Sequence, residues 1–333
     1  ISRGDWSSDV CSSDLILKKQ NKIIFYGTPD FARDCLEHLI NEGVNISAVV
    51  TAPDKYSGRG RKINFSSVKE FCLKKNIKIF QPENLKDKLF LSLIKKIAPD
   101  IQIVVAFRML PKEVWSIAKD FTFNLHASLL PNYRGAAPIN WAIINGEKKT
   151  GLTTFIIDDH IDTGLILLKE EVEISSFDSA LTLYNKLLNK AGPLIKKTIK
   201  YHLSGRLNPK KQILIGGEKY APKLTTNNIK IDWDSPLDLI EKKIRGLSPF
   251  PGAWTFFIND DNKSRMKIIQ SSVIYSNHSD KILRIIEKDG NILISHKEGY
   301  LKCEVIQLEN KKKMDAKSLL NGYKFSENSF VLL

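Results

Sequence analysis

Ile23-Ile24-Phe25-Tyr26-Gly27-Thr28-Pro29-Asp30-Phe31-Ala32 opens with a run of four apolar residues, then a glycine and, two residues on, a proline. The run has the length of a buried strand, and Gly27 permits the tight exit of a strand-to-helix turn. Thr28 reads as a helix N-cap with Pro29 as the first helical residue. Phe31, Cys35, Leu36, Leu39 and Ile40 then recur at helical spacing until Gly43. Residues 46–51, 77–80, 101–107 and 122–126 supply further strand-like runs, with helical patterns over 67–76 and 86–97 between them. This alternation predicts an α/β fold with a doubly wound, mostly parallel sheet, whose ligands lie beyond the C-terminal ends of its strands.

Residues 152–174 hold two more strand-like runs around the turn Asp158-Asp159-His160-Ile161-Asp162-Thr163-Gly164. A long helix fits 179–203, with Leu181, Tyr184, Leu187, Leu188, Ala191, Leu194 and Ile195 on one side. A first domain over 18–204 is therefore expected, then a Gly-, Pro- and Lys-rich linker over 205–222. In 223–333 the texture changes to short β-like runs separated by polar turns, behind one helix near 236–245, which predicts a small β-barrel. Residues 1–17 are rich in Ser and Asp and are expected to be a non-native or disordered leader.

The 333 residues are 42% hydrophobic and 26% charged, a globular balance that excludes wholesale disorder. Lys and Arg number 51 against 37 Asp and Glu, a net charge of +14 that favours a polyanionic partner such as nucleic acid. Residues 211–333 carry 20 Lys and Arg against 15 Asp and Glu, so most of that excess lies in 1–210, and an RNA surface would have to cross both domains. Cys11, Cys35, Cys72 and Cys303 are too far apart for a metal knuckle or redox pair. No apolar run approaches a membrane span, and a cytoplasmic protein is expected.

The chemistry concentrates in Phe123-Asn124-Leu125-His126-Ala127-Ser128-Leu129-Leu130-Pro131-Asn132-Tyr133-Arg134-Gly135. A strand repeats every two residues, so Asn124 and His126 share a face at the ligand-binding end. Together an amide and an imidazole can hold an oxygen that gains negative charge and can move a proton. An Asp brought near His126 would favour its protonated form, but the 158–164 turn offers three, and spacing does not choose among them. The same residues also suit an ordinary turn; no metal-ligand spacing supports a metal site. A third feature is the basic loop Lys55-Tyr56-Ser57-Gly58-Arg59-Gly60-Arg61-Lys62, whose cations and two glycines suit a mobile arm following phosphates. Gly27 stands alone rather than in a GxGxxG fingerprint, which disfavours nicotinamide binding.

These segments resemble the methionyl-tRNA formyltransferase family, within the wider group that uses 10-formyltetrahydrofolate. The match lies in Phe25 to Ala32, in Pro53-Asp54 with Gly58-Arg59-Gly60, in Asn124 to Gly135 with Ala136-Ala137-Pro138-Ile139, and in Asp162-Thr163-Gly164. The resemblance implies a Rossmann-like catalytic domain and a C-terminal barrel of the oligonucleotide-binding type. It implies attack by the free amine of methionyl initiator tRNA on the formyl carbon, through a tetrahedral intermediate, with no covalent enzyme adduct and no metal. Asn124, His126 and Asp162 become the catalytic trio, and Ser128, Leu129, Leu130 and Pro131 part of the folate pocket. Phe31 becomes a wall for the methionine side chain, and Lys55, Arg59, Arg61 and Lys62 a tRNA clamp in a monomeric enzyme. A formyltetrahydrofolate hydrolase or an amino-sugar formyltransferase is the alternative within the same group. One departure is Ala106-Phe107-Arg108-Met109-Leu110-Pro111, where many members carry Tyr-Gly and Arg108 stands in place of that glycine.

Overall fold

Strand β1 (Ile23–Gly27) is buried along its whole length, as a strand covered on both faces must be. The computed structural model describes residues 21–57 and 62–333. The other strands of the first sheet are β2 (Ile46–Val50), β3 (Ile79–Phe80), β4 (Ile101–Val105), β5 (Phe121–His126), β6 (Lys149–Ile156) and β7 (Ile166–Glu173). The seven lie in the order β7-β6-β5-β4-β1-β2-β3. β1 to β5 pair in parallel, and β6 joins β5 antiparallel. The chain builds outward from β1 to one side and from β4 to the other, so the order reverses between them. Ligands of doubly wound sheets bind at such a reversal.

The first helix is Asp30–Asn41, one residue later than its sequence suggests. Thr28 is not its cap. Pro29 is, with ψ 178 and no side-chain cap bond, and its carbonyl accepts from the Ala32 and Arg33 amides. Asp30 in the first turn supplies the negative charge that a helix N-terminus favours. Gly43 ends the unit at φ 76, as its lack of a side chain allows. In the long helix Ala180–Leu203, Leu183, Leu187, Ala191, Leu194, Ile195 and Ile199 form the buried stripe, whereas Leu181 is 47% exposed. Continuing the 3.6-residue stripe backward reaches Leu183, not Leu181.

Gln102 on β4 is fully buried and satisfied from three directions. Tyr26 donates to its Oε1, while its Nε2 donates to the Val114 carbonyl and to Thr122 Oγ1, each at 3.0 Å. Burial holds the Tyr26 phenol well above its ordinary pKa. Gln102→Leu orphans the buried Tyr26 hydroxyl, at ~1–3 kcal/mol, while the Val114 carbonyl keeps the Ile117 amide at 3.2 Å. A lowered urea midpoint is the expected result, and an unchanged one would reject this network as a source of stability.

Two compact units are present. One holds the described residues up to Arg134 with Gly151–Val172 and Lys186–Lys219; the other holds Gly135–Thr150, Glu173–Asn185 and Tyr220–Leu333. The second unit is built on β8 (Ala253–Asn259), β9 (Asn262–Tyr275), β10 (Ile285–Lys288), β11 (Asn291–His296), β12 (Gly299–Leu308) and β13 (Phe330–Val331). Their order is β10-β11-β12-β9-β8-β13, antiparallel throughout. Register shifts around Gln270 bend the long β9. A bridge from Arg284 to Phe330 brings the two edges together, so the sheet curls into a small barrel. Trp233, Phe257, Met266, Ile294 and Leu301 fill it, with Ile240 and Ile244 of the helix Leu237–Gly246 packed in the same core.

Candidate active site

β5 delivers Asn124 and His126 to its C-terminal end on one face, as the two-residue pleat requires. The His126 ring is buried, with Nε2 at 2.7 Å from the Tyr133 carbonyl oxygen. That carbonyl can only accept, so Nε2 carries a proton. Nδ1 lies 3.8 Å from Asp162 Oδ2. Next to it in the pleat, Asn124 Oδ1 is buried with no hydrogen-bond partner among the described residues. Such an orphan costs ~1–3 kcal/mol, which a correctly placed ligand group recovers.

The fold chooses Asp162 from the three carboxylates of the turn. Asp158 is spent on the turn itself, accepting from the His160 amide at 3.1 Å and the Thr163 hydroxyl at 2.7 Å. Asp159 pairs with Lys112 at 3.6 Å, and His160 is exposed. Asp162 sits at φ 56, a left-handed backbone that non-glycine residues adopt at a cost, often at functional sites. Gly164 lets the chain return against β6: a Cβ there would lie 1.7 Å from the Ile156 carbonyl oxygen.

The loop after His126 is held from below by hydroxyls. Ser128 Oγ donates to the Asn132 carbonyl at 2.6 Å; Thr153 Oγ1 donates to the Ser128 carbonyl at 2.6 Å and accepts from the Leu130 amide at 3.2 Å. Lys169 Nζ donates to the Leu130 carbonyl at 2.5 Å, and desolvation lowers its pKa. Ser128 and Leu130 point inward, while Leu129 and Pro131 are half-buried. Phe31 is buried in the first turn of the helix Asp30–Asn41. Lys55 is exposed on a two-stranded ribbon, Lys55–Ser57 against Lys62–Asn64, which Lys62 joins through its backbone. Gly58, Arg59, Gly60 and Arg61 lie outside the described residues. Arg108 turns onto main chain, donating to the Glu83 carbonyl at 2.6 Å and to the Pro82 carbonyl, and desolvation lowers its pKa.

Sequence reasoning missed the residues that hold this constellation in place. Lys219 meets the 129–134 loop twice, its carbonyl accepting from the Tyr133 amide at 2.5 Å and its amide donating to Asn132 Oδ1 at 3.1 Å. Gln212 reaches the Asp162 turn and Arg134. Both lie in a stretch without periodicity, and contacts made across 48 to 87 residues leave no local signal. A cleft of about 410 Å³ beside the turn is lined by Ile156, Asp158, Thr163, Gly164, Leu165, Lys211 and Gln212. Among the described residues, no three His, Cys, Asp or Glu side chains group as a metal site, and no helix is long and apolar enough to cross a membrane.

Known proteins share both parts of the chain. Residues 21–199 match the formyl transferase family and 223–324 the formyl transferase C-terminal domain. Methionyl-tRNA formyltransferase of Flavobacterium johnsoniae is 45% identical over 310 residues, covering 93% of this chain and 98% of the relative. The protein of the same name from Thermodesulfovibrio yellowstonii is 42% identical over 306 residues, covering 92% and 97%. Among solved structures, an N-formyltransferase from Helicobacter canadensis, in complex with folinic acid and dTDP-3-aminofucose, superposes with a TM-score of 0.58. It is 23% identical, covers 88% of this chain and 100% of its own, and shares the fold.

Proposed function

The chain belongs to the methionyl-tRNA formyltransferase family, and from that premise we propose how its own residues carry the reaction. It transfers the formyl group of 10-formyltetrahydrofolate to the α-amine of methionyl-tRNA. Initiator tRNA is the form we take as substrate, for translation initiation. The observation that carries the site assignment is the His126–Asp162 approach of 3.8 Å, with Asn124 on the same face of β5.

As the amine adds to the formyl carbon, the formyl oxygen takes up negative charge. The Asn124 amide, with its NH2 turned toward that oxygen, donates a hydrogen bond to it. His126 holds its orientation through Tyr133, with Asp162 Oδ2 3.8 Å from its other ring nitrogen, so the imidazole stands beside the oxyanion. The amine loses a proton as its C–N bond forms, and the departing folate nitrogen gains one as its own breaks; Asp162 carries the proton between them. No enzyme nucleophile is needed. Cys35 and Cys303 are buried thiols whose pKa burial pushes far up, which suits a structural role. The Ser128-Leu129-Leu130-Pro131 segment forms one wall of the folate pocket, presenting half-buried Leu129 and Pro131 while buried Ser128 and Leu130 anchor it, supported by the Thr153 and Lys169 bonds to its backbone.

Phe31 bounds the methionine side chain, and Lys55, Arg59, Arg61 and Lys62 hold the tRNA acceptor end. Arg59→Ala is expected to raise the KM for methionyl-tRNA ~10-fold, the worth of one charge-assisted contact, and to reduce the salt slope by about 1. The KM for the folate should not move; equal loss toward both substrates would reject the clamp. We place the reaction in the cytoplasm, where charged tRNA is consumed, and take the monomer as the active unit.

The decisive assay follows labelled formyl from 10-formyltetrahydrofolate into methionyl initiator tRNA. Product that disappears with His126→Ala supports both substrate and site. Tetrahydrofolate and formate released at full rate without tRNA would instead make the protein a hydrolase.

A further inference from the structure

Gln212 joins the two loops of the site from a segment outside both. Its Nε2 donates to the Asp162 carbonyl at 2.8 Å and to the Gly164 carbonyl at 2.9 Å. Its Oε1 accepts from Arg134 Nη2 at 2.6 Å and Nε at 3.2 Å. Chemistry sets the direction of this amide. A guanidinium can only donate and a main-chain carbonyl can only accept, so the oxygen must face Arg134 and the NH2 must face the turn. Both amide hydrogens are thereby used on the two carbonyls that flank Thr163, one of them belonging to Asp162 at its left-handed φ of 56. Arg134 ends the same loop whose Tyr133 carbonyl holds His126.

We propose that Gln212 is a positioning residue for the formyl transfer: it clamps the Asp162 turn to the Arg134 end of the His126 loop and so sets the His126–Asp162 separation. This rests on the functional reading above, with Asp162 as the proton carrier. A displacement of about 1 Å at a catalytic group can cost ~10²-fold in rate. Removing the clamp therefore acts on kcat rather than on substrate affinity. Gln212→Glu is the sharpest variant, because it keeps the volume and the bond to Arg134 while turning a second acceptor toward the two carbonyls.

The test measures kcat and KM for both substrates, and the melting temperature, in the full-length enzyme carrying Gln212→Glu or Gln212→Ala, alone and combined with Asp162→Asn. Each single variant is expected to lower kcat ~10- to 100-fold with both KM values within about twofold. In the Asp162→Asn background the same substitutions should cost less than about twofold more, since a residue acting through another adds little once that one is gone. Unchanged kcat, a loss confined to KM, or full additivity with Asp162→Asn would overturn the proposal. Failure of both variants to fold would overturn it too, assigning Gln212 to stability alone. A wild-type chain that does not formylate methionyl-tRNA would instead sink the functional reading; an active wild type with an equally active Gln212→Glu sinks only this inference.

Discussion

Asn124→Ala is expected to lower kcat by ~10²–10³-fold while KM for both substrates changes little, the usual consequence of removing one oxyanion donor. The expectation comes from the place of the amide at the end of β5, two residues from His126 on the same face, where its NH2 can donate to the oxyanion; its Oδ1 is unpaired among the described residues. A purely structural asparagine in that position would have its polar atoms satisfied by the protein, and removing it would lower stability. Here truncation removes an orphan, so the melting temperature should hold or rise while the rate collapses. Single-turnover rates with saturating folate and tRNA isolate the chemical step. A rate within a few-fold of wild type would reject Asn124 as an oxyanion donor.

Gly164→Ala should be comparably damaging to activity through geometry alone. The new Cβ would sit 1.7 Å from the Ile156 carbonyl oxygen and 2.9 Å from its carbon, both main-chain atoms that no rotamer change can move. Either the turn lifts away, with loss of the Ile156 amide bond to the Leu165 carbonyl at 2.9 Å, or the end of β6 is displaced. Asp162 is two residues away and moves in either case. Activity is expected to fall at least ~10²-fold, together with a lower melting temperature. Gly322→Ala, where a Cβ meets nothing within 4 Å, is the matched control and should leave both unchanged. Near-normal activity in Gly164→Ala would show that the turn has room that its backbone packing denies.

What could be read in advance was what depends on near neighbours in the chain. The burial of β1 followed from an unbroken apolar run, and the shared face of Asn124 and His126 from the parity of a strand. Helix edges were less legible: at Thr28 a capping side chain competed with a proline whose carbonyl could start the helix unaided, and the proline prevailed. Leu181 had the right residue type near the right phase, but its place on the helix surface depends on what packs there.

Sequence alone therefore determined the class of sheet, the strand that bears the amide and imidazole, and the chemistry those two groups can support, because each rests on a short-range repeat. Tertiary structure decided which of three aspartates faces His126, since Asp158, Asp159 and Asp162 differ only in the partners the fold brings to them: a turn hydroxyl, Lys112, or the imidazole. It also brought Gln212, 50 residues from Asp162 and 78 from Arg134, into hydrogen-bond contact with both. A hydrogen bond has a reach of about 3 Å and no memory of chain distance, so such a partner leaves no periodic trace in the sequence.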